Sequence, residues 1–313
     1  MHSSDTRFTL DNSYGLPKGV MDIPAGVEVQ NSGRAYRIGR VTGSGSLGGS
    51  CTFSSGASAG ANTWQVGNET NYTWSGKVTS NANFTKVGEG RITYSGTSDN
   101  TGSDIISQGE MLISSGVLGK GNLTVSQGAI LSGTNKDTKP LINPLVTING
   151  TLRPGATATS YTGTLYFGDK NVTFSESGVY EVTARSCSTA NNAGCTTIAG
   201  INRLTMNGTI RVSLVNNHIL QAGDSIRLWS ASTMTGTPKL ELPSGVEWDT
   251  SRLSEGLLFV VSISDGIAHV TVSPQHPADI HDLSGRLIRK HATSMEGLPG
   301  GIYVVRGRKV VVK

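Results

Sequence analysis

One short pattern recurs along the 313-residue chain: an apolar residue, Thr, any residue, then Gly within a few positions and a further apolar residue. It reads NFTKVGEGRITYSG at 83–96, NLTVSQGAILSG at 122–133, LVTINGTLRPG at 145–155, NVTFSESGVY at 171–180 and RLTMNGTIRV at 203–212. A degenerate copy, DIISQGEMLISSG at 104–116, fills the gap between the first two. Thr85, Thr124, Thr147, Thr173 and Thr205, with Ser107 standing in for the degenerate copy, lie 22, 17, 23, 26 and 32 residues apart. A spacing of roughly 17 to 30 residues with alternating apolar positions suits one coil of a β-helix. Each coil would set Phe84, Leu123, Val146, Val172 and Leu204 on the same inward position of the rung before, with Gly allowing positive φ at the corners. The expectation is an all-β chain, a right-handed parallel β-helix (solenoid), with rungs ~4.8 Å apart and roughly ten rungs in a rod of about 50 Å. An antiparallel β-sandwich is the alternative, since it also uses short strands and Gly turns. It gives no reason for one motif to return six times.

Composition agrees with a strand-rich chain. Gly numbers 41, and charged residues make up 15% of the sequence. Solvated helix faces need more charge than that, and Gly is costly in helix interiors. With 36% apolar residues and only 10 Pro, the chain is not a disordered linker. The formal net charge of +4 is local: residues 277–313 hold seven Lys or Arg against three Asp or Glu, and the remainder holds 19 of each sign. A nucleic-acid binder would spread its basic stripe over the folded body, so nucleic acid is excluded as a partner. No stretch approaches the ~20 apolar residues of a membrane span, so no transmembrane segment is expected. The opening MHSSDTRFTL lacks the apolar core of a signal peptide, which suits either a chain whose leader has been removed or one that stays inside the cell. The expected organisation is a cap or lead-in at 1–29, a β-helix body at 30–265 and a tail at 277–313.

Residues 74–116 carry a more specific arrangement: Trp74-Ser75-Gly76, then Lys86-Val87-Gly88-Glu89-Gly90, Ser95-Gly96 and Gly109. This resembles the autotransporter-associated β-strand repeat of bacterial secreted proteins, with YRIGRVTGSGSLGG (36–49) and TWQVGN (63–68) as its lead-in. TSDNTG departs from the family's usual Asn-x-Tyr-x-Gly after Ser-Gly. The resemblance implies a passenger-type β-helix that supports secretion and display without catalysis of its own. An autotransporter would end in a membrane barrel of alternating ~10-residue strands, for which there is no room after residue 265. A different export route is therefore expected.

The tail supplies one. Asp282-Leu283-Ser284-Gly285-Arg286, Leu298, Gly301-Ile302-Tyr303-Val304-Val305 and Gly307-x-Lys309-Val310 resemble the C-terminal sorting tail of the type IX (Por) secretion system of Bacteroidetes. Two hairpins are expected, turning at Ser284-Gly285 and at Arg306-Gly307. The tail is shorter than the family's usual sandwich, and a cap for the solenoid end is the plainer alternative. The resemblance implies secretion machinery as a partner and an extracellular or outer-membrane-surface location.

Sites for chemistry are few. Gly43-x-Gly45-x-x-Gly48 matches a dinucleotide fingerprint only formally, since no helix follows it. None of the six histidines has zinc-ligand spacing. Glu89, Arg91, Asp99 and Asp104 are the only group suggesting a calcium-dependent polysaccharide lyase, and they are too few for convergent calcium ligation. Cys187 and Cys195 bracket a polar loop suited to a local disulfide, which would leave Cys51 unpaired; two ordinary thiols are the alternative. Trp64 and Trp74 are expected in the core, leaving Trp229 and Trp248 for a sugar-stacking surface. The expectation is a secreted or surface-displayed structural or adhesin-like β-helix, with no catalytic, cofactor or metal residues of its own. An extracellular polysaccharide or a host surface would be its partner. The alternatives are a polysaccharide lyase of pectate-lyase type, a noncatalytic C-terminal part of one, and a carbohydrate-binding module.

Overall fold

A computed structural model describes residues 7–10, 15–31, 35–50, 62–155, 163–184, 195–215, 220–263 and 277–312. Among these residues there is no α-helix. The chain divides into two compact units, one comprising residues 1–243 and 249–260, the other residues 244–248 and 261–313.

The larger unit is a parallel β-helix. In its regular part each coil passes from one sheet to a second and returns one step further along the stack. Asn83–Lys86 lies in a ten-stranded sheet, Arg91–Tyr94 in an eight-stranded one, and Asp104–Ile106 is back in the first, beside Asn83–Lys86. The ten-stranded sheet runs from Leu16–Asp22 to Trp229–Thr235, and the eight-stranded sheet from Tyr72–Trp74 to Lys239–Glu241. Strands pair in parallel from Leu16–Asp22 onward in the first sheet and throughout the second. This excludes the antiparallel sandwich, because parallel neighbours need a full crossover between them. A third, four-stranded sheet joins Arg7–Leu10, Glu28–Asn31, Ser46–Ser50 and Lys77–Val78 in the early coils. It is continued by a bridge between Thr97 and Val117.

Alternation puts every second side chain inside, and parallel register stacks like positions on one another. Tyr36, Trp64, Phe84, Asp104, Leu123, Val146, Val172 and Leu204 form one buried column. Ile38, Val66, Lys86, Ile106, Val125, Ile148, Phe174 and Met206 form a second. The eight-stranded sheet adds Ile92, Met111, Leu131, Leu152, Tyr180 and Ile210. The five inward residues expected from the repeat thus share one column, and Thr85, Thr124, Thr147, Thr173 and Thr205 share the outward position beside it. Ser107 does not. Ile105 holds the rung between Thr85 and Thr124, which evens the spacing there to 20 and 19 residues.

The smaller unit contains a four-stranded antiparallel sheet in the order Leu287–Ala292, Ala278–His281, Gly301–Val305, Arg308–Val312. Its core is Ala278, Ile280, Ala292, Tyr303, Val305 and Val310, with Met295, Leu298 and Val312 packed against it.

Candidate functional site

The repeat-motif residues come together on adjacent coils, where they pack. Trp74 is buried and lies in register with Tyr94 one coil on. Its ring sits 5.2 Å from Tyr94 and 5.9 Å from Phe84. Gly96 stacks over Gly76 so closely that a Cβ on Gly96 would stand 1.7 Å from the Gly76 carbonyl oxygen. Gly88 and Gly109 turn corners with φ of 71° and 62°, while Gly90 passes close to the Thr70 carbonyl. Ser95 is an exposed corner residue whose N–H reaches the Trp74 carbonyl. Lys86 points inward. It is fully buried, and its Nζ donates to the carbonyls of Val87 (3.1 Å) and Gly88 (2.6 Å). Burial pushes its ammonium down to about 8.

A polar cluster sits in this same interior. Asp104 takes the column position that Phe84 and Leu123 hold on either side, and only 2% of it is exposed. Its Oδ1 accepts from Asn100 Nδ2 (3.0 Å), and its Oδ2 accepts from the Gly119 N–H (2.9 Å) and Asn143 Nδ2 (3.3 Å). Burial raises the carboxyl to about 6, against the pull of these donors. Asn100 and Asn143 also donate to the carbonyls of Ala82, Gly119 and Gly121, knitting three coils. Asp104 is therefore closed off from Arg91, which lies on the outside of the other sheet near Glu110 (4.0 Å), and from the exposed Glu89 and Asp99. The four residues considered for a lyase do not converge. Among the described residues no group of three or more His, Cys, Asp or Glu is placed to hold a metal ion. No helix among them is long and apolar enough to cross a membrane.

The outer face of the eight-stranded sheet carries a feature the repeat reading missed. Arg153, Glu181, Arg211 and Glu241 follow one another on successive strands, with Arg211 directly in register with both glutamates. Arg153 Nε meets Glu181 Oε2 at 2.6 Å, Arg211 Nη1 meets Glu181 Oε1 at 3.1 Å, and Arg211 Nε meets Glu241 Oε2 at 2.8 Å. The signal was present: in LRP, YEV, IRV and LEL the charged residue follows a buried or half-buried apolar one. Its alternating sign means something only once the strands are neighbours.

The tail motif organises two turns. Asp282 accepts from the Ser284 N–H (3.0 Å) and hydroxyl (2.6 Å) and from the Arg286 N–H (3.0 Å), and it pairs with Arg286 Nε (3.0 Å). These donors, the Ser284 hydroxyl foremost, hold its carboxyl down at about 2. Gly285 supplies a φ of 85°, and Leu283 at the same turn is 60% exposed. Arg306 and Gly307 both have positive φ, as a two-residue turn between Gly301–Val305 and Arg308–Val312 requires. Gly301 begins that hairpin. Tyr303 is in the core with its hydroxyl on the Pro299 carbonyl, whereas Ile302 and Lys309 face solvent.

Gly43, Gly45 and Gly48 lie at a corner and in the strand Ser46–Ser50, with no helix after them. Trp229 is buried and Trp248 half-buried, so Trp229 offers no ring for stacking sugars. Cys195 is disulfide-bonded; Cys187 and Cys51 lie outside the described residues. No protein-family model matches the chain, and no curated protein matches it significantly.

Proposed function

We propose that this protein is a structural β-helix for secretion and display, with the small C-terminal sheet acting as the sorting element. The observation that carries this reading is how the regular coils spend their polar groups. Lys86, Asn100, Asp104 and Asn143 are turned inward, Lys86 onto the carbonyls of its own corner and the other three onto groups of neighbouring coils, so these polar groups support the stack. The sorting part of the reading draws on the tail: an ordered hairpin sheet with a formed Asp282 turn, exposed Leu283, Ile302 and Val311, and solvent-facing Arg286, Arg306, Arg308 and Lys309. Like charge around a docking face steers a partner of opposite charge and fixes its register.

Localisation tests this directly. The full chain and a version ending at Ser273, each behind a signal peptide, are expressed in a Bacteroidetes host with active type IX export and in an export-deficient strain. Surface exposure is read by protease accessibility on intact cells. The full chain is expected at the surface only in the competent host, and the shortened chain in the periplasm of both. Equal distribution of the two chains would refute the sorting role.

A further inference from the structure

We infer that the Arg153–Glu181–Arg211 ladder forms a subsite for a carboxylate-bearing sugar, a uronic acid unit of an acidic polysaccharide. The ladder borders a cleft of about 240 Å³ lined by Arg153, Glu181, Thr183, Arg211 and Ser213. That volume lies below the ~300 Å³ where drug-sized pockets begin, so it suits a single sugar ring better than a larger ligand. Arg153, Arg211 and Lys239, which pairs with Glu241 at 3.0 Å, set three positive charges against the two negative ones of Glu181 and Glu241, so the ladder carries one net positive charge.

The donors left over decide the ligand. Arg153 uses only Nε on Glu181, and Arg211 uses Nε and Nη1 on the two glutamates. Among the described residues, Arg153 Nη1 and Nη2 and Arg211 Nη2 are uncommitted. These N–H groups match a carboxylate, which planar guanidinium binds more strongly than it binds a neutral acceptor. Glu181 and the Thr183 hydroxyl then offer acceptors for ring hydroxyls. A neutral glycan would leave the ladder's surplus positive charge unmet, and a compact inorganic anion would leave the acceptors unused.

The glutamates also fix the arginines in advance. An arginine held by ion pairs on adjacent rungs loses little further side-chain freedom when a ligand arrives. The ion pairs themselves explain little as stability devices, since Arg153 and Arg211 are 45% and 48% exposed and solvent screens pairs of that exposure.

The test is affinity electrophoresis of the full chain through gels containing polygalacturonate, carboxyl-reduced polygalacturonate or dextran. Retardation is expected with polygalacturonate alone. Arg153→Ala and Arg211→Ala should each weaken it by about tenfold or more, the loss expected for a charge-assisted contact. The variant Lys290→Ala, at an exposed position of the basic tail, should leave it unchanged. Equal retardation by the carboxyl-reduced polymer would overturn the inference without relying on any variant. So would arginine variants that bind like the parent, or loss of binding in the tail variant, which would mark non-specific attraction by the tail.

Discussion

Asp104 holds a place where its column neighbours are Phe84 and Leu123, and it is kept there by three N–H donors. Its titration gives stability an unusual sign. In the unfolded chain it ionises near 3.8, in the fold only near 6. Between those values the native state holds a proton that the unfolded state has lost, so this residue adds stability as pH falls through about 6. The full effect is about 3 kcal/mol, of which about 2 is realised on going from pH 7.5 to 4.5. Asp282 runs the other way: its carboxyl is held down at about 2, so its contribution is lost as pH falls through that range. Asp104→Asn isolates the first effect. The variant keeps the shape, removes the buried charge and turns a donor toward Gly119 or Asn143. Chemical denaturation should place it within about 1 kcal/mol of the parent at pH 7.5, because relief of burial offsets a lost hydrogen bond. At pH 4.5 it should fall behind by about a further 2 kcal/mol. A gap that stays constant with pH would mean that Asp104 is not the titrating group.

At the level of the coil, the corners divide glycines that are needed for space from those needed for conformation. Gly96 has ordinary φ but no room, with the Gly76 carbonyl where its Cβ would go. Gly128 has a φ of 83° and open space around the position a Cβ would take, so only its left-handed backbone constrains it. Urea unfolding at neutral pH should therefore show Gly96→Ala costing about 1–3 kcal/mol through overpacking. Gly128→Asn should cost less than about 1 kcal/mol, because Asn tolerates left-handed backbone. Similar losses at both sites would contradict this division. The coil is also where the sequence was most readable. Five threonines and five apolar residues fell into their columns because alternation and coil length are both written locally. Ser107 was misplaced because Asp104 sits in the apolar column. Ile105 also stands where the other copies have Thr, and seeking a hydroxyl for that place slides the register two residues along to Ser107, whereas aligning Ser-Gln-Gly at 107–109 with 126–128 sets Ile105 on Thr124. The interior roles of Lys86, Asn100 and Asn143 were not readable, since polar residues resemble surface residues until a fold encloses them. The Arg153–Glu181–Arg211–Glu241 ladder was hidden for the complementary reason: its members lie 28, 30 and 30 residues apart, and only parallel register makes them neighbours.

Across the whole molecule, a stack of coils supports each rung only through the two beside it, so protection against opening should depend on position along the rod. Tyr94, Met111, Leu131, Val146 and Val172 have buried neighbours on both sides. Among the described residues the strand Leu16–Asp22 ends its sheet and pairs on one side, with Leu16 47% and Val20 46% exposed. Among the described residues, the four-stranded sheet of the smaller unit has a core of six buried residues, fewer than either buried column of the ten-stranded sheet. Local opening free energies follow buried apolar contact and paired backbone, and can range from near zero to the global value. Native-state hydrogen exchange should therefore find the slowest amides at 92–94, 111–113, 146–148 and 172–174. Rates should rise toward 16–22, and amides at 287–292 should exchange faster than any of these central strands. The asparagine–aspartate cluster sharpens the expectation, because it ties three adjacent coils by side chain as well as by backbone. Gly119, whose N–H lies on Asp104, should exchange as slowly as a strand amide although it belongs to a corner. Uniform exchange along the rod would mean that it opens as one cooperative block, and the stacking of neighbouring coils would then no longer account for its stability.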